Sequence, residues 1–388
     1  MTKTMFCRLF FVFAAIILSA CSQQPLVKPN NDTNLVPQNT QLLQSQQEEE
    51  LARILDVSIE VFGLQSTTGG NSQVEKQIFS EIADIERQYL PVLLRNTLAK
   101  SRYWGAVSVV PKEDLAAELS VSGQVLQSDG NSLSLHIIAK DASGLIWLNK
   151  KYRALMQGGQ QAVQNDKEPN KEYSHFSQAC LIQELPYQEL YHQIANDLLS
   201  YRLSLSDKEL LSIRRLAQIK HAQDLSPDAF NSLTEEQDGR LLIKRLLAHN
   251  DPILKQVERM RARHYMFIEA VDDHYLNLHQ KMAAIYQLWQ QYSCERAEEL
   301  KLRELTQGSK KRRYKGGFSA MADNYRRYKI SKMFEQEWQQ LASSFKQEVD
   351  PAVIELNNRV YTLSGTVDQQ LEEWRVILRQ FYKLQGLP

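Results

Sequence analysis

The chain reads as an α+β protein, a small α/β domain followed by a mostly helical one. Three observations carry this. Between Leu55 and Arg153, short β-branched alternations alternate with turn clusters around one helical stretch. From Tyr187 onward, apolar residues recur three and four apart for about 160 residues. A length of 388 residues, with 43% hydrophobic and 24% charged, suffices for two or three domains with ordinary cores.

The first folded unit opens with Leu55-Asp56-Val57-Ser58-Ile59-Glu60-Val61-Phe62, whose alternation predicts a strand. Gly69-Gly70 makes a loop. Glu75 to Lys100 places Ile78, Ile82, Ile85, Tyr89, Leu93 and Thr97 at helical spacing, and Pro91 is expected to bend or divide that helix. Trp104 to Val110 is a second strand closed by Pro111, and Lys112 to Ala116 is expected to be a short helical crossover. Three strands follow, Glu118 to Gln127, Leu133 to Lys140 and Leu145 to Arg153. Their turns, Ser128-Asp129-Gly130-Asn131 and Asp141-Ala142-Ser143-Gly144, are rich in residues that accept positive φ. The expected order is β-α-β-β-β-β.

Two stretches of this unit resemble a known family. Ala117-Glu118-Leu119-Ser120-Val121-Ser122-Gly123, with Asp141-Ala142-Ser143-Gly144-Leu145-Ile146-Trp147, is similar to the amino-terminal domain of TolB-like proteins, a fold shared with the curli-secretion subunit and activators of penicillin-binding proteins. The resemblance covers residues 52–155 and implies a protein-interaction module of the cell envelope.

Gln157 to Lys171 reads as a hinge. Pro186-Tyr187-Gln188-Glu189 opens a helix striped by Leu190, Ile194, Leu198 and Tyr201, which completes a domain over 51–205. Residues 206–388 form the helical domain. Ser206-Asp207 caps its first helix, Ser226-Pro227 starts another, and Asp238-Gly239 is expected to begin a helix to His249. Asn250-Asp251-Pro252 caps the longest, running to about Thr306. Its seam, Met260, His264, Phe267, Val271, Tyr275, Leu278, Met282, Ile285, Trp289 and Tyr292, follows a coiled-coil rhythm. After Gly308 to Gly317, a second seam of Phe318, Met321, Tyr325, Tyr328, Phe334, Trp338, Leu341 and Phe345 suggests an antiparallel helical hairpin over 252–349. Asp350-Pro351 ends it. Val353 to Leu356 and Arg359 to Val367 read as a β-hairpin around Asn357-Asn358, and Leu371, Trp374, Ile377, Leu378 and Phe381 stripe a last helix.

The amino terminus has a different character. Lys3 and Arg8 precede an apolar run from Leu9 to Leu18, the build of a secretory signal over residues 1–20 and too short to span a bilayer. Leu18-Ser19-Ala20-Cys21 resembles the lipobox of bacterial lipoproteins. That resemblance implies a diacylglyceryl group on the Cys21 thiol, cleavage before it and acylation of the new amine. Ser22, where an Asp would signal retention, implies an outer-membrane destination facing the periplasm. Residues 21–50, rich in Gln, Asn and Pro, are expected to be a flexible tether.

Lysine plus arginine equals aspartate plus glutamate at 46 each, against a general nucleic-acid binder. Beyond the leader no apolar run reaches the length of about 18 residues that a further membrane helix needs. Cys7 leaves with the signal, so Cys180 and Cys294 remain, either as a disulfide or as two free thiols. His264, Glu269, Asp272, Asp273, His274 and His279 contain metal-ligand types, but no pair sits at the spacing that puts two imidazoles on one helix face. No metal and no cofactor are expected. Lys310-Lys311-Arg312-Arg313-Tyr314-Lys315 reads either as a solvated turn or as a contact for anionic lipid or an acidic partner. No nucleophile motif appears. The expectation is a non-enzymatic, lipid-anchored scaffold or accessory of an envelope assembly, partnered by another envelope protein or a second copy of itself. A subunit of an outer-membrane secretion channel, and a cell-wall hydrolase or its activator, are the alternatives.

Overall fold

A computed structural model describes residues 34–47, 49–50, 53–64, 73–128, 132–155, 187–245, 251–307, 325, 332, 336, 352–356 and 359–384, with backbone alone for 73–81, 83–84, 292–307, 352–356 and 359. The α+β class stands: a mixed sheet toward the amino terminus and a helical carboxy-terminal region.

The sheet runs β1 (Asn34–Leu35), β7 (Ile146–Leu155), β6 (Ser132–Asp141), β5 (Leu119–Ser128), β2 (Val57–Glu60), β4 (Val107–Val110), with β3 (Gly63–Leu64) also on β5. β2 lies between β4 and β5 and is parallel to both, whereas β5, β6 and β7 form an antiparallel meander. The turn after β6 is built by Asp141. Its Oδ1 accepts from the Ser143 and Leu145 amides at 2.8 and 3.2 Å, and its Oδ2 accepts from the Trp147 indole at 2.8 Å. Gly144 there has φ 87°, which only glycine adopts without strain.

α1 (Gln73–Ser101) connects β2 to β4 and runs through Pro91 undivided. Ile82, Ile85, Tyr89, Leu90, Leu94 and Leu98 are all buried, and this continuous apolar face outweighs the single bond that proline removes. The expected crossover helix at Lys112–Ala116 is absent. The Asp114 carboxylate instead accepts from the Ala116 amide at 3.0 Å, a local bond that competes with helix formation.

α2 (Gln188–Ser204) packs on β7 and α1. Over it lies a strap that the sequence assigns to the tether. Leu35 and Asn34 pair with Arg153 and Tyr152, and the Val36 amide donates to the Arg153 carbonyl at 2.8 Å. His192 Nδ1 donates to the Thr40 carbonyl at 2.8 Å, Asn196 bridges the Gln41 carbonyl and the Leu43 amide, and buried Arg202 holds Glu49 at 3.0 Å. Polar composition did not keep this stretch loose, because α2 supplies side chains that satisfy its backbone.

α3 (Asp207–Leu225) opens on a capping box between Ser206 and Glu209. α4 (Pro227–Phe230) is a single turn followed by the 3-10 turn Asn231–Leu233. Asp238-Gly239, expected to start a helix, is the corner of a hairpin between β8 (Thr234–Gln237) and β9 (Arg240–Ile243). Both corner residues have positive φ, 52° and 73°, the signature of the two-residue turn that Asp-Gly favours.

α5 (Pro252–Gln307) carries the predicted seam, and its described members from Met260 to Trp289 are buried. The expected hairpin arm lies almost wholly outside the described residues, and the contacts of α5 seen are with other elements. α5 lies along α1 and β4, with α3 and α6 (Val367–Leu384) against it. Asp272 on α5 accepts three hydrogen bonds: one from the Val109 amide at 2.7 Å, closing the outer edge of β4, and two from Arg95 at 2.7 and 3.1 Å. Of the expected second seam, Tyr325 is helical and exposed, and the other positions lie outside the described residues. β10 (Ala352–Leu356) and β11 (Arg359–Leu363) form the predicted hairpin, but its second strand stops at Leu363 short of the expected Val367, which opens the next helix. Thr366 and Gln369 cap α6, whose Leu371, Trp374, Leu378 and Phe381 enter one continuous core with the sheet domain's side chains.

Candidate functional site

Cys21, Cys180 and the cations Lys310, Lys311, Arg312, Arg313 and Lys315 lie outside the described residues. Cys294 lies within α5, but its side chain is not described. The histidines and acids of α5 go to separate partners. His264 reaches Asp114, Asp272 reaches Val109 and Arg95, and His279 stacks on Tyr89 at 4.1 Å between centroids. Among the described residues no group of three His, Cys, Asp or Glu could hold a metal ion.

A dense gathering of ionisable side chains sits where the sheet meets the helices. Its origin is topological. β4 and β5 flank β2 and all three run parallel, so residues 111–118 must cross β2 from one end of the sheet to the other. That crossing segment carries Asp114 and Glu118, both 3% exposed. Buried charges of this kind require partners, and α3, α5 and α6 provide them.

Asp114 accepts from His264 Nε2 at 2.8 Å as well as from the Ala116 amide. Burial alone would raise its carboxyl; the His264 ring and the Ala116 amide outweigh it and hold the group down at about 2. His221 of α3 lies against His264 with ring centroids 5.3 Å apart, and burial pushes it down to about 3. Glu118 accepts from the Asp56 amide through Oε2 at 2.8 Å and pairs through Oε1 with Arg261 at 3.2 Å and Arg214 at 3.5 Å. Burial and the nearby Asp56 carboxylate raise the Glu118 carboxyl, against the pull of the Asp56 amide and the two arginines. Arg261 also donates to the Ala116 carbonyl at 3.0 Å and to Tyr265 Oη at 2.7 Å. From α6, Arg375 donates to the Glu113 carbonyl at 2.7 Å.

A carboxylate–imidazole pair is the arrangement that orients a general base, but here it faces protein. His264 is 2% exposed, and its Nδ1 has no hydrogen-bond partner. The cluster's chemistry is mutual neutralisation: one crossing segment is clamped to α3, α5 and α6. Sequence reasoning missed Asp114, Glu118, His221 and Arg261 because their contacts join positions distant in the chain, up to 150 residues apart. The one local signal was the Asp114 turn, which a helical reading of Lys112–Ala116 obscured.

No protein-family model, no curated protein and no solved structure matches this chain.

Proposed function

We propose that the protein is a lipid-anchored scaffold of the bacterial envelope, held by Cys21 to the outer membrane and facing the periplasm. The observation that carries the reading is Leu18-Ser19-Ala20-Cys21 at the end of a short apolar run. The TolB-like resemblance of residues 52–155 belongs to the same proposal. So does an envelope-protein partner engaged by the sheet domain.

The strap on α2 changes what such an anchor does. With Asn34 paired to β7, at most the stretch from Ser22 to Thr33 lies between lipid and body, a reach of no more than ~40 Å at full extension. The body is then held near the membrane surface. Cys21→Ala is expected to abolish fatty-acid labelling and to move the protein from the outer-membrane fraction to the soluble one. Unchanged labelling or fractionation would remove the anchor from the proposal.

A further expectation concerns Lys310 to Lys315. Neutralising Lys310, Lys311, Arg312 and Arg313 together is expected to weaken binding to vesicles containing anionic lipid, with the difference vanishing at high salt. Identical binding curves across a salt titration would assign those cations to a solvated turn.

A further inference from the structure

We infer that the outer edge of β7 is a docking site for an extended, acidic segment of a partner protein, which would add to the sheet as a further strand. The inference gives the scaffold reading a surface, and it rests on that reading only for the partner's location.

The two edges of the sheet are treated differently. β4 is closed by α5, where Asp272 occupies the Val109 amide. β7 is ten residues long, and its neighbour β1 pairs with Tyr152 and Arg153 alone. Because the Arg153 carbonyl accepts from Val36, the backbone groups of Arg153 point away from β6. Strand alternation then points the amides and carbonyls of Lys151 and Asn149 the same way. Among the described residues, no backbone hydrogen bond reaches them from that side. From Ile146 to Lys151 this leaves ~20 Å of unpaired strand edge, in line with a pairing that the chain already makes through β1.

The side chains select the occupant. β7 reads Ile-Trp-Leu-Asn-Lys-Lys-Tyr-Arg-Ala-Leu, with three cations and no acid. Lys150 points toward α2 and is neutralised by Asp197 at 2.8 Å. Lys151 and Arg153 share the opposite face, as their pairing with His136 and Ser134 shows, and neither makes an ion pair among the described residues. A second copy of this edge brings cations and no acid, so self-pairing gains no charge complementarity. A strand laid along Ile146 to Lys151 places an acidic side chain beside Lys151, with Arg153, flanked by Leu35 of β1, next along the same face, while its backbone takes the Lys151 and Asn149 groups.

The test uses the full-length protein in neutral detergent and two labelled octapeptides, one alternating Glu with Val and the other Lys with Val. The Glu peptide is expected to bind saturably and the Lys peptide not. Binding should slow hydrogen exchange at the Asn149 and Lys151 amides, which are expected to exchange freely beforehand. Lys151→Pro removes an outward donor that β6 does not use and is expected to weaken binding at least tenfold, whereas Lys151→Gln should weaken it only a few-fold. Should the proline variant fail to fold, Lys151→Glu with Arg153→Glu is expected to reverse the preference between the peptides. Equal affinity for both peptides would overturn the inference, as would no saturable binding. Asn149 and Lys151 amides already protected in the free protein would show the edge covered by this chain or by a second copy, and would overturn it as well. None of these outcomes bears on Cys21, so the anchor stands or falls separately.

Discussion

Glu118→Leu is expected to destabilise the fold by about 3–5 kcal/mol, read as a drop in the urea midpoint with little change in slope. The size comes from what is left behind. The Asp56 amide loses its acceptor, and two guanidiniums lose their counter-ion. Arg214, with a quarter of its side chain exposed, can turn toward water, but Arg261 is only 11% exposed. Arg261 therefore dominates the loss. Glu118→Gln keeps an acceptor for the Asp56 amide while removing the charge, and is expected to cost less, about 1–3 kcal/mol. The pair as a whole is nearer to break-even than either half, since burying both charges carries its own desolvation penalty. Combining Glu118→Leu with Arg261→Met should thus recover much of the single variant's loss. A Glu118→Leu protein within about 1 kcal/mol of wild type would mean that the crossing segment is held by its apolar neighbours rather than by the clamp.

This clamp also marks where the sequence stops being readable. Strands β5, β6 and β7 were legible to within a residue or two at each end because alternation and turn chemistry are local, and Asp141 to Gly144 carries both signals at once. The α5 seam was equally plain. What it packs against was less plain: a stripe of Met260, Phe267, Val271 and Trp289 fits a partner helix or a sheet edge equally well, and among the described residues α5 lies against α1 and β4. Asp238-Gly239 was misread although its signal was local, because Leu241, Leu242 and Ile243 after it also fit a helix. Residues 34–50 escaped because their order comes from α2, through His192, Asn196 and Arg202, and not from their own periodicity. The acids and histidines of the clamp are individually ordinary. Their meeting depends on a parallel crossover that no window of sequence displays.

Acidification from pH 7 to pH 5 is expected to remove about 2 kcal/mol of stability through His221 alone. His221 is 3% exposed, and its Nε2 has no hydrogen-bond partner. Around it stand His264 and Arg261 of α5, Arg375 of α6 and Asp114 of the crossing segment. Burial first, then the His264 ring and the arginines, hold the imidazole neutral down to about 3, against the opposite pull of Asp114. The unfolded chain takes up this proton near the ordinary histidine value of 6.5, so the folded state's advantage is complete above that value and is lost as pH falls from 6.5 toward 3. His279, pushed down to about 4 by burial against Tyr89, acts in the same direction. Its ring is less completely enclosed, so its share is smaller. Asp114 contributes nothing in this range, because its carboxyl is held at about 2 and stays charged throughout. His221→Phe keeps a ring of similar volume against His264 and removes the titrating group. The variant is expected to match wild type within about 1 kcal/mol at pH 7 and to lose about 2 kcal/mol less on going to pH 5. Denaturation midpoints for the two proteins that fall in parallel between pH 7 and pH 5 would assign the acid sensitivity elsewhere. A proton on His221 would lie between Arg261 and Arg375, so the junction of α3, α5 and α6 with residues 111–118 is where acid should first loosen the fold. Hydrogen exchange at the Ala116 and Ala117 amides is expected to accelerate before exchange at Val121 or Ile137 in the sheet interior.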